Sequence, residues 1–342
     1  MTDQLLEVAD LVQEFSLLGH GGVREGVVHA VSGVSFTLAA GETLGLVGET
    51  GSGKSTLARA VMQAPSPKSG SVRLHGTELV GIRRRKLPKA RRQMQMVLQD
   101  PFGSLDPKWR VDRLVAEPLV AFGVGSAAER RRRAMDLLER VGLDPGRYAK
   151  RRPRELSGGQ AQRVSIARAL ALDPSLIICD EAVASLDVLI RAQVLNLLED
   201  LRDDLGLSYL FISHDLALVK QVSDRVAVMY LGKLVEVGPS RTLYRQPLHP
   251  YTDALINSIP PPDPDQATPL IAERIHGDQP SPIDPPSGCR FRTRCARAQD
   301  VCAVQEPPMR ELAVGHSVAC HFPLADDAAV AAEPEQVPLQ PK

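Results

Sequence analysis

The nine residues from Gly48 to Thr56 read GETGSGKST and fit the pattern G-x-x-x-x-G-K-[ST]. Gly48, Gly51 and Gly53 let a backbone wrap a chain of phosphates with its N–H groups. Lys54 adds a cation for the outer phosphates, and the Ser55 hydroxyl can reach Mg2+. Glu49, Thr50, Ser52 and Thr56 complete this loop. A second glycine pair stands in LSGGQAQR, Leu156 to Arg163. There Ser157 can cap a helix whose opening residues, Gly158 and Gly159, expose N–H groups at a positive helix end, with Gln160 next in line. That too is an anion clamp, so one chain carries two phosphate cradles. In LIICDE, Asp180 closes an apolar run, where it can hold Mg2+ through water. Glu181 follows it, placed to orient an attacking water or accept its proton. His214 in LFISHD and Gln99 in MVLQDP also close apolar runs. The histidine can hydrogen-bond a γ-phosphate or the water, and the glutamine amide can reach Mg2+ or water.

These groups can meet only if a scaffold brings several run ends together. From Leu6 to Val47, short alternating runs broken by Gly-rich loops predict antiparallel strands leading into a central strand, TLGLV. KSTLARAVMQA then has helical spacing, and GSVRLHG reads as a short strand. A charged, proline-broken middle from Gly81 to Arg154 reads as a helical insertion, with AAERRRRAMDLLERVGL as its best helix. LIICDE, SYLFISHD and RVAVMYLGKLVEVG predict further strands. Alternating strands and helices around such a loop predict an α/β fold with a mainly parallel sheet. From Pro239 the chain turns proline-rich, a cysteine segment follows, and residues 326–342 read as a disordered tail.

Composition narrows the function. Lys plus Arg and Asp plus Glu number 41 each among 342 residues, which gives no general pull toward nucleic acid. The basic runs RRRKLPKARR, from Arg83 to Arg92, and ERRRR, from Glu129 to Arg133, read as solvated faces. No apolar run reaches the roughly 18 residues that span a bilayer, and the opening MTDQLLEVAD lacks the pattern of a signal peptide. A soluble protein retained in the cytosol is expected.

In this order, the GETGSGKST loop, QD, LSGGQ, LIICDE, SLD and SHD resemble the nucleotide-binding subunits of ATP-binding cassette (ABC) transporters, over about residues 5 to 245. The resemblance implies a P-loop NTPase fold in residues 1–245: a RecA-like core with an antiparallel β subdomain and a helical subdomain at about 100–156. It implies ATP and Mg2+, and a head-to-tail dimer in which the LSGGQ helix of one subunit caps the γ-phosphate held by the other. Phe15 would stack on adenine, and Asp187 would reach across the dimer. Gln99 and the insertion near Gly103 to Gly142 would carry the mechanical coupling.

The flanks QDPFGSLDPKWRV, CDEAVASLDV, VMYLGKLVEVG, PLHPYTDALINSIP and GCRFRTRCARAQDVC resemble the oligopeptide and dipeptide importer ATPases and extend the match to about residue 323. This implies an ATPase that energises peptide import at the cytoplasmic face of the inner membrane, as a peripheral subunit. Its partners would be a related ATPase subunit in a heterodimer, two integral membrane permease subunits and an extracytoplasmic peptide-binding protein, with no nucleic acid. Nickel importer ATPases share part of the pattern and form one alternative. A non-transport ABC ATPase that regulates a soluble or nucleic-acid partner forms another, although the long heptads and doubled cassettes of such proteins are absent.

Cys289, Cys295, Cys302 and Cys320 form C-x5-C-x6-C-x17-C after SPIDPPSG, within a C-terminal unit expected at 246–325. So few apolar residues surround them that a staple is needed. Zinc is one candidate, although structural zinc usually takes cysteines two to four residues apart. Free thiols or disulfides are another. Four thiolates can also hold a four-iron, four-sulfur cluster, which the resemblance to peptide-importer ATPases favours. His316 and His321 flank the last cysteine as substitute ligands, and Cys179 is expected as a buried thiol outside the site.

Overall fold

The structure, a computed structural model, describes residues 4–18, 24–83, 85–258 and 277–324. The expected tail at 326–342 and much of the proline-rich stretch, residues 259–276, lie outside the described residues. Among the described residues twelve strands run in chain order: β1 (Gln4–Leu18), β2 (Arg24–Ala39), β3 (Thr43–Val47), β4 (Ser69–Leu74), β5 (Thr77–Glu78), β6 (Met94–Val97), β7 (Leu176–Asp180), β8 (Ser208–Ile212), β9 (Arg225–Tyr230), β10 (Lys233–Pro239), β11 (Arg310–Ala313) and β12 (His316–Val318). They form two sheets. One is antiparallel, in the order β2-β1-β4-β5; the other has eight strands, in the order β11-β12-β10-β9-β3-β8-β7-β6.

The large sheet is parallel from β9 to β6. Its centre is made by the segments whose residues are apolar without interruption. TLGLV, LIICD and SYLFI are buried at every position, as strands covered on both faces must be. One face packs against the antiparallel sheet and the helix Lys54–Val61, around Leu46, Leu57, Val61 and Ile212. The other packs against the helices Gly158–Leu170 and Val188–Leu205 and the helical insertion, around Val115, Leu138, Ile166 and Val194. The fold is therefore the expected α/β core.

The N-terminal strands are longer than the short runs predicted, 15 and 16 residues. Repeated register shifts break their side-chain alternation, which is why the sequence reads as several pieces. The charged middle is also not wholly an insertion. It contains β6, an edge strand only four residues long with Met94 and Val97 buried, and it returns to the core sheet beside β7. The helical excursion begins only after it, with Pro101–Ser104, Val111–Ala121 and Ala127–Arg140. The last of these starts with a capping box in which Ser126 and Glu129 satisfy each other's backbone N–H groups.

The cysteine-bearing segment was expected as a small unit of its own. Instead β12 pairs with β10, so its strands extend the core sheet. Phe291 is buried against Tyr230 and Tyr251, with ring centroids 5.2 Å away in each case. Much of the apolar shelter the segment lacks locally is thus supplied by the main core.

Candidate functional site

In the parallel part of the sheet the strands end together, and the loops that leave those ends share one crevice. β3 lies beside β8, with Leu46 opposite Ile212, and β8 lies beside β7, with Ile212 opposite Asp180. β6 flanks β7, with Val97 opposite Cys179. The residues just past these ends are Gly48, Gln99, Glu181 and His214. Parallel pairing alone brings them to one place.

A cleft of about 650 Å³ opens there. Its lining includes Thr50, Gly51, Gly53, Lys54, Ser55 and Thr56 from the loop, and Gln99, Glu181 and His214 from the strand ends. Phe15, 40 % exposed, joins Val28 and Ala30 at the same cleft. The loop's shape depends on two glycines. A side chain at Gly48 would meet the Met229 carbonyl at 2.1 Å, and one at Gly53 the Ala30 carbonyl at 2.1 Å; both residues have positive φ. Lys54 Nζ donates to the carbonyls of Gly48 (2.7 Å) and Glu49 (2.8 Å), holding the loop wrapped around its own lysine. Burial pushes this ammonium below its usual range and the neighbouring Asp180 carboxyl above its own. A bound polyanion with its metal would supply the opposite charge that reverses both shifts.

Ser55 Oγ donates to Asp180 Oδ1 at 2.8 Å, so the hydroxyl and carboxylate expected to hold Mg2+ already meet. These oxygen donors fit that hard cation. Glu181 takes a left-handed conformation, φ 50°, and its N–H donates to the Ile212 carbonyl at 3.0 Å. This turn holds its carboxylate 3.1 Å from His214 Nδ1. A carboxylate and an imidazole in contact beside a phosphate loop can position and deprotonate a water.

Among the described residues, the second cradle lies elsewhere. Ser157, Gly158, Gly159, Gln160 and Asp187 do not line the cleft. Ser157 caps the helix Gly158–Leu170 as expected, in a box with Gln160: Gln160 Oε1 accepts from the Ser157 N–H at 3.0 Å. Gly159 has a role the sequence reading missed. A Cβ there would meet Ile190 at 2.3 Å, so its bareness lets two helices approach. Asp187 caps the helix Val188–Leu205 by accepting from the Ile190 N–H at 3.0 Å. The next two residues, Val188 and Leu189, are 77 % and 78 % exposed.

Cys289, Cys295, Cys302 and Cys320 line one small cavity together with His249, Phe291 and His321. All are free of disulfides. Burial raises the thiols of Cys289, Cys295 and Cys320, the last to about 11, and the backbone N–H groups two residues on, at Phe291, Arg297 and Phe322, oppose the rise. Among the described residues, no group of three or more His, Cys, Asp or Glu side chains is arranged around a single metal ion. Neither the expected iron–sulfur cluster nor its zinc alternative finds an arranged ligand group among the described residues. His316 is no substitute ligand, because it is buried with Glu236 at 2.8 Å. His321 lines the cavity, but its Nε2 lies 2.9 Å from the Gln305 carbonyl. Cys179 is buried in β7, its thiol pushed up to about 12.

The basic runs are partly committed within the chain. Arg91 bonds the carbonyls of Met62 and Gln63, Arg130 that of Val124, and Arg133 pairs with Asp173.

Residues 31–184 match the family described as ABC transporter, and residues 235–302 match that described as oligopeptide/dipeptide transporter, C-terminal region. A probable peptide ABC transporter ATP-binding protein of Sinorhizobium fredii is 49 % identical over 94 % of this chain and 90 % of its own length. The oligopeptide transport ATP-binding protein AppF of Bacillus subtilis is 46 % identical over 94 % of this chain and 98 % of its own. The dimeric ATP-binding cassette MJ0796, in a post-hydrolysis state bound to ADP and Pi, superposes with a TM-score of 0.62 at 28 % identity, covering 69 % of this chain and 99 % of that one. A phosphate loop, a carboxylate pair and a capped signature helix on this sheet, with near-half identity along almost the whole chain, have one explanation: the chain belongs to the ATP-binding proteins of peptide ABC transporters.

Proposed function

We propose that this chain hydrolyses ATP to drive peptide import, as one of two related ATPase subunits joined head to tail. One observation carries the reading: the phosphate loop and its strand-end partners share a cleft, while the capped signature helix is not part of it. Among the described residues each half lacks its complement, and a partner cassette supplies it. The exposed Val188 and Leu189 beside Asp187 fit such an interface. The relatives' names favour peptides over nickel and over a regulatory role outside transport.

In the assembled site the N–H groups of Gly51, Gly53 and Lys54 cradle the phosphates, and Phe15 stacks on the base. Ser55, Asp180 and Gln99 hold Mg2+. When bound, this ion neutralises charge on the phosphate oxygens. Glu181 accepts the proton of the attacking water, and His214 holds that carboxylate and the γ-phosphate side of the site in register. Ser157, Gly158, Gly159 and Gln160 close on the partner's nucleotide. Two permease subunits dock on the helical excursion, where Phe102 and Val120 are exposed and Arg113 stacks 3.8 Å from the Trp109 ring centroid. The chain then sits peripherally on the cytoplasmic membrane face, fed by an extracytoplasmic peptide-binding protein. Among the described residues no helix is long and apolar enough to cross a membrane.

A structural four-iron, four-sulfur cluster in the cysteine cavity completes the reading. Four cysteines lining one cavity support it. Cys289, Cys295, Cys302 and Cys320 would hold it, and it would staple a segment poor in apolar residues of its own.

Co-expression with the membrane subunits tests the function. The chain should purify with them, and ATP hydrolysis should rise when the peptide-loaded binding protein is added. A complex stimulated by nickel and by no peptide would refute the peptide assignment.

A further inference from the structure

Glu49, which the pattern G-x-x-x-x-G-K-[ST] leaves unspecified, is held at three points. Its carbonyl accepts from Lys54 Nζ at 2.8 Å, a bond within the loop. The other two holds come from far along the chain. Its N–H donates to Tyr251 Oη at 2.9 Å, and its carboxylate accepts from both terminal nitrogens of Arg294, at 2.8 and 3.1 Å. Arg294 immediately precedes Cys295. Only 8 % of it is exposed, and its guanidinium also reaches Tyr230 Oη at 3.4 Å.

A two-pronged guanidinium–carboxylate pair fixes orientation as well as charge. Both matter here. An unpaired carboxylate on the loop that wraps a triphosphate would repel it, and a free Glu49 side chain could swing toward the phosphates. The same C-terminal segment reaches the cleft a second time: the Pro282 carbonyl accepts from the His29 N–H at 2.9 Å, and Pro282 lines the cleft with Phe15 and Val28. Arg290 ties the segment to the Leu231 carbonyl and to Ser32 Oγ. The cysteine-bearing segment is therefore braced against the nucleotide cleft at both the loop and the Phe15 side.

We propose that Arg294 is a positioning residue for ATP: by gripping Glu49 it neutralises and orients the phosphate loop, so that the cysteine-bearing segment sets nucleotide affinity. The inference rests on the ATPase reading, and it does not depend on what the four cysteines hold.

The test uses the assembled complex and a fluorescent, non-hydrolysable ATP analogue, alongside steady-state ATP hydrolysis. Arg294→Gln should weaken analogue binding at this chain's site about tenfold and raise KM in step, with kcat within about twofold, as expected when one partner of a shielded charge pair is lost. Arg294→Lys, which keeps the charge without the fork, should recover part of the loss. In a Glu49→Gln background, Arg294→Gln should cost less than about twofold, because the carboxylate it neutralises is gone. Equal losses in both backgrounds, unchanged binding, or a fall in kcat with KM unaltered would overturn the proposal. If Arg294→Gln does not assemble, Arg294→Lys with and without Glu49→Gln decides by the same criterion. A wild-type complex that binds the analogue but never hydrolyses ATP would instead sink the ATPase reading, leaving the Arg294 result to stand by itself.

Discussion

Glu181 and His214 lie in contact because each is placed by a turn just past a buried strand, and those strands are parallel neighbours. The left-handed backbone at Glu181 is uncommon for a residue with a side chain and persists because its N–H is bonded to the Ile212 carbonyl. Replacing Glu181 with Gln keeps the size and the neighbouring Asp180 but removes the proton acceptor. ATP binding should stay near wild type while turnover in the complex falls about 10²- to 10⁴-fold, the range for a lost general base. Hydrolysis at the wild-type rate would remove Glu181 from that role. The candidate carboxylates, the loop and His214 were legible in the sequence because each ends an apolar run. Arg294 was not, since nothing in the spacing ties position 294 to position 49.

At the scale of elements, the helix Gly158–Leu170, proposed above as a clamp, is also a packing unit. Its Ser157–Gln160 box fixes where the helix starts, and Gly159 seats it against Ile190 in the helix Val188–Leu205. The exposed Ser157 side chain then faces whatever approaches that end. A Ser157→Arg change places a bulky cation there without touching the chain's own cleft. It should leave ATP binding to this chain intact and abolish hydrolysis at the partner's loop. Mixed complexes carrying one altered subunit, with turnover assigned to each site, would reveal this defect in trans. Loss confined to the altered chain's own loop would contradict the head-to-tail arrangement. The helix itself was readable from sequence. That a Cβ would fit at Gly158 but clash at Gly159 depends on the neighbouring helix.

For the molecule as a whole, the C-terminal segment behaves as part of the nucleotide-binding body. β12 extends its sheet, Phe291 fills its core, and Arg294 grips its phosphate loop. If the cysteine cavity holds a four-iron, four-sulfur cluster, protein purified without oxygen should be brown, with about four irons and four sulfides per chain. Cys295→Ser should lose most of that iron. Colourless protein containing about one zinc per chain would decide against the cluster. Metal binding requires the thiolates, whereas burial of Cys289, Cys295 and Cys320 favours their protonated thiols. Loading should therefore release protons.

The sequence by itself determined the chemistry and the class of fold. A phosphate loop, metal-binding and basic carboxylates and a capped second cradle are local patterns, and uninterrupted apolar runs specify buried parallel strands wherever they occur. Tertiary structure decided everything that depends on which strands become neighbours. It set Glu181 against His214, returned β6 to the core from a segment that reads as an insertion, and joined the cysteine segment to a loop some 245 residues earlier. Spacing along a chain records local periodicity; it carries no trace of a contact made only when distant segments share one core.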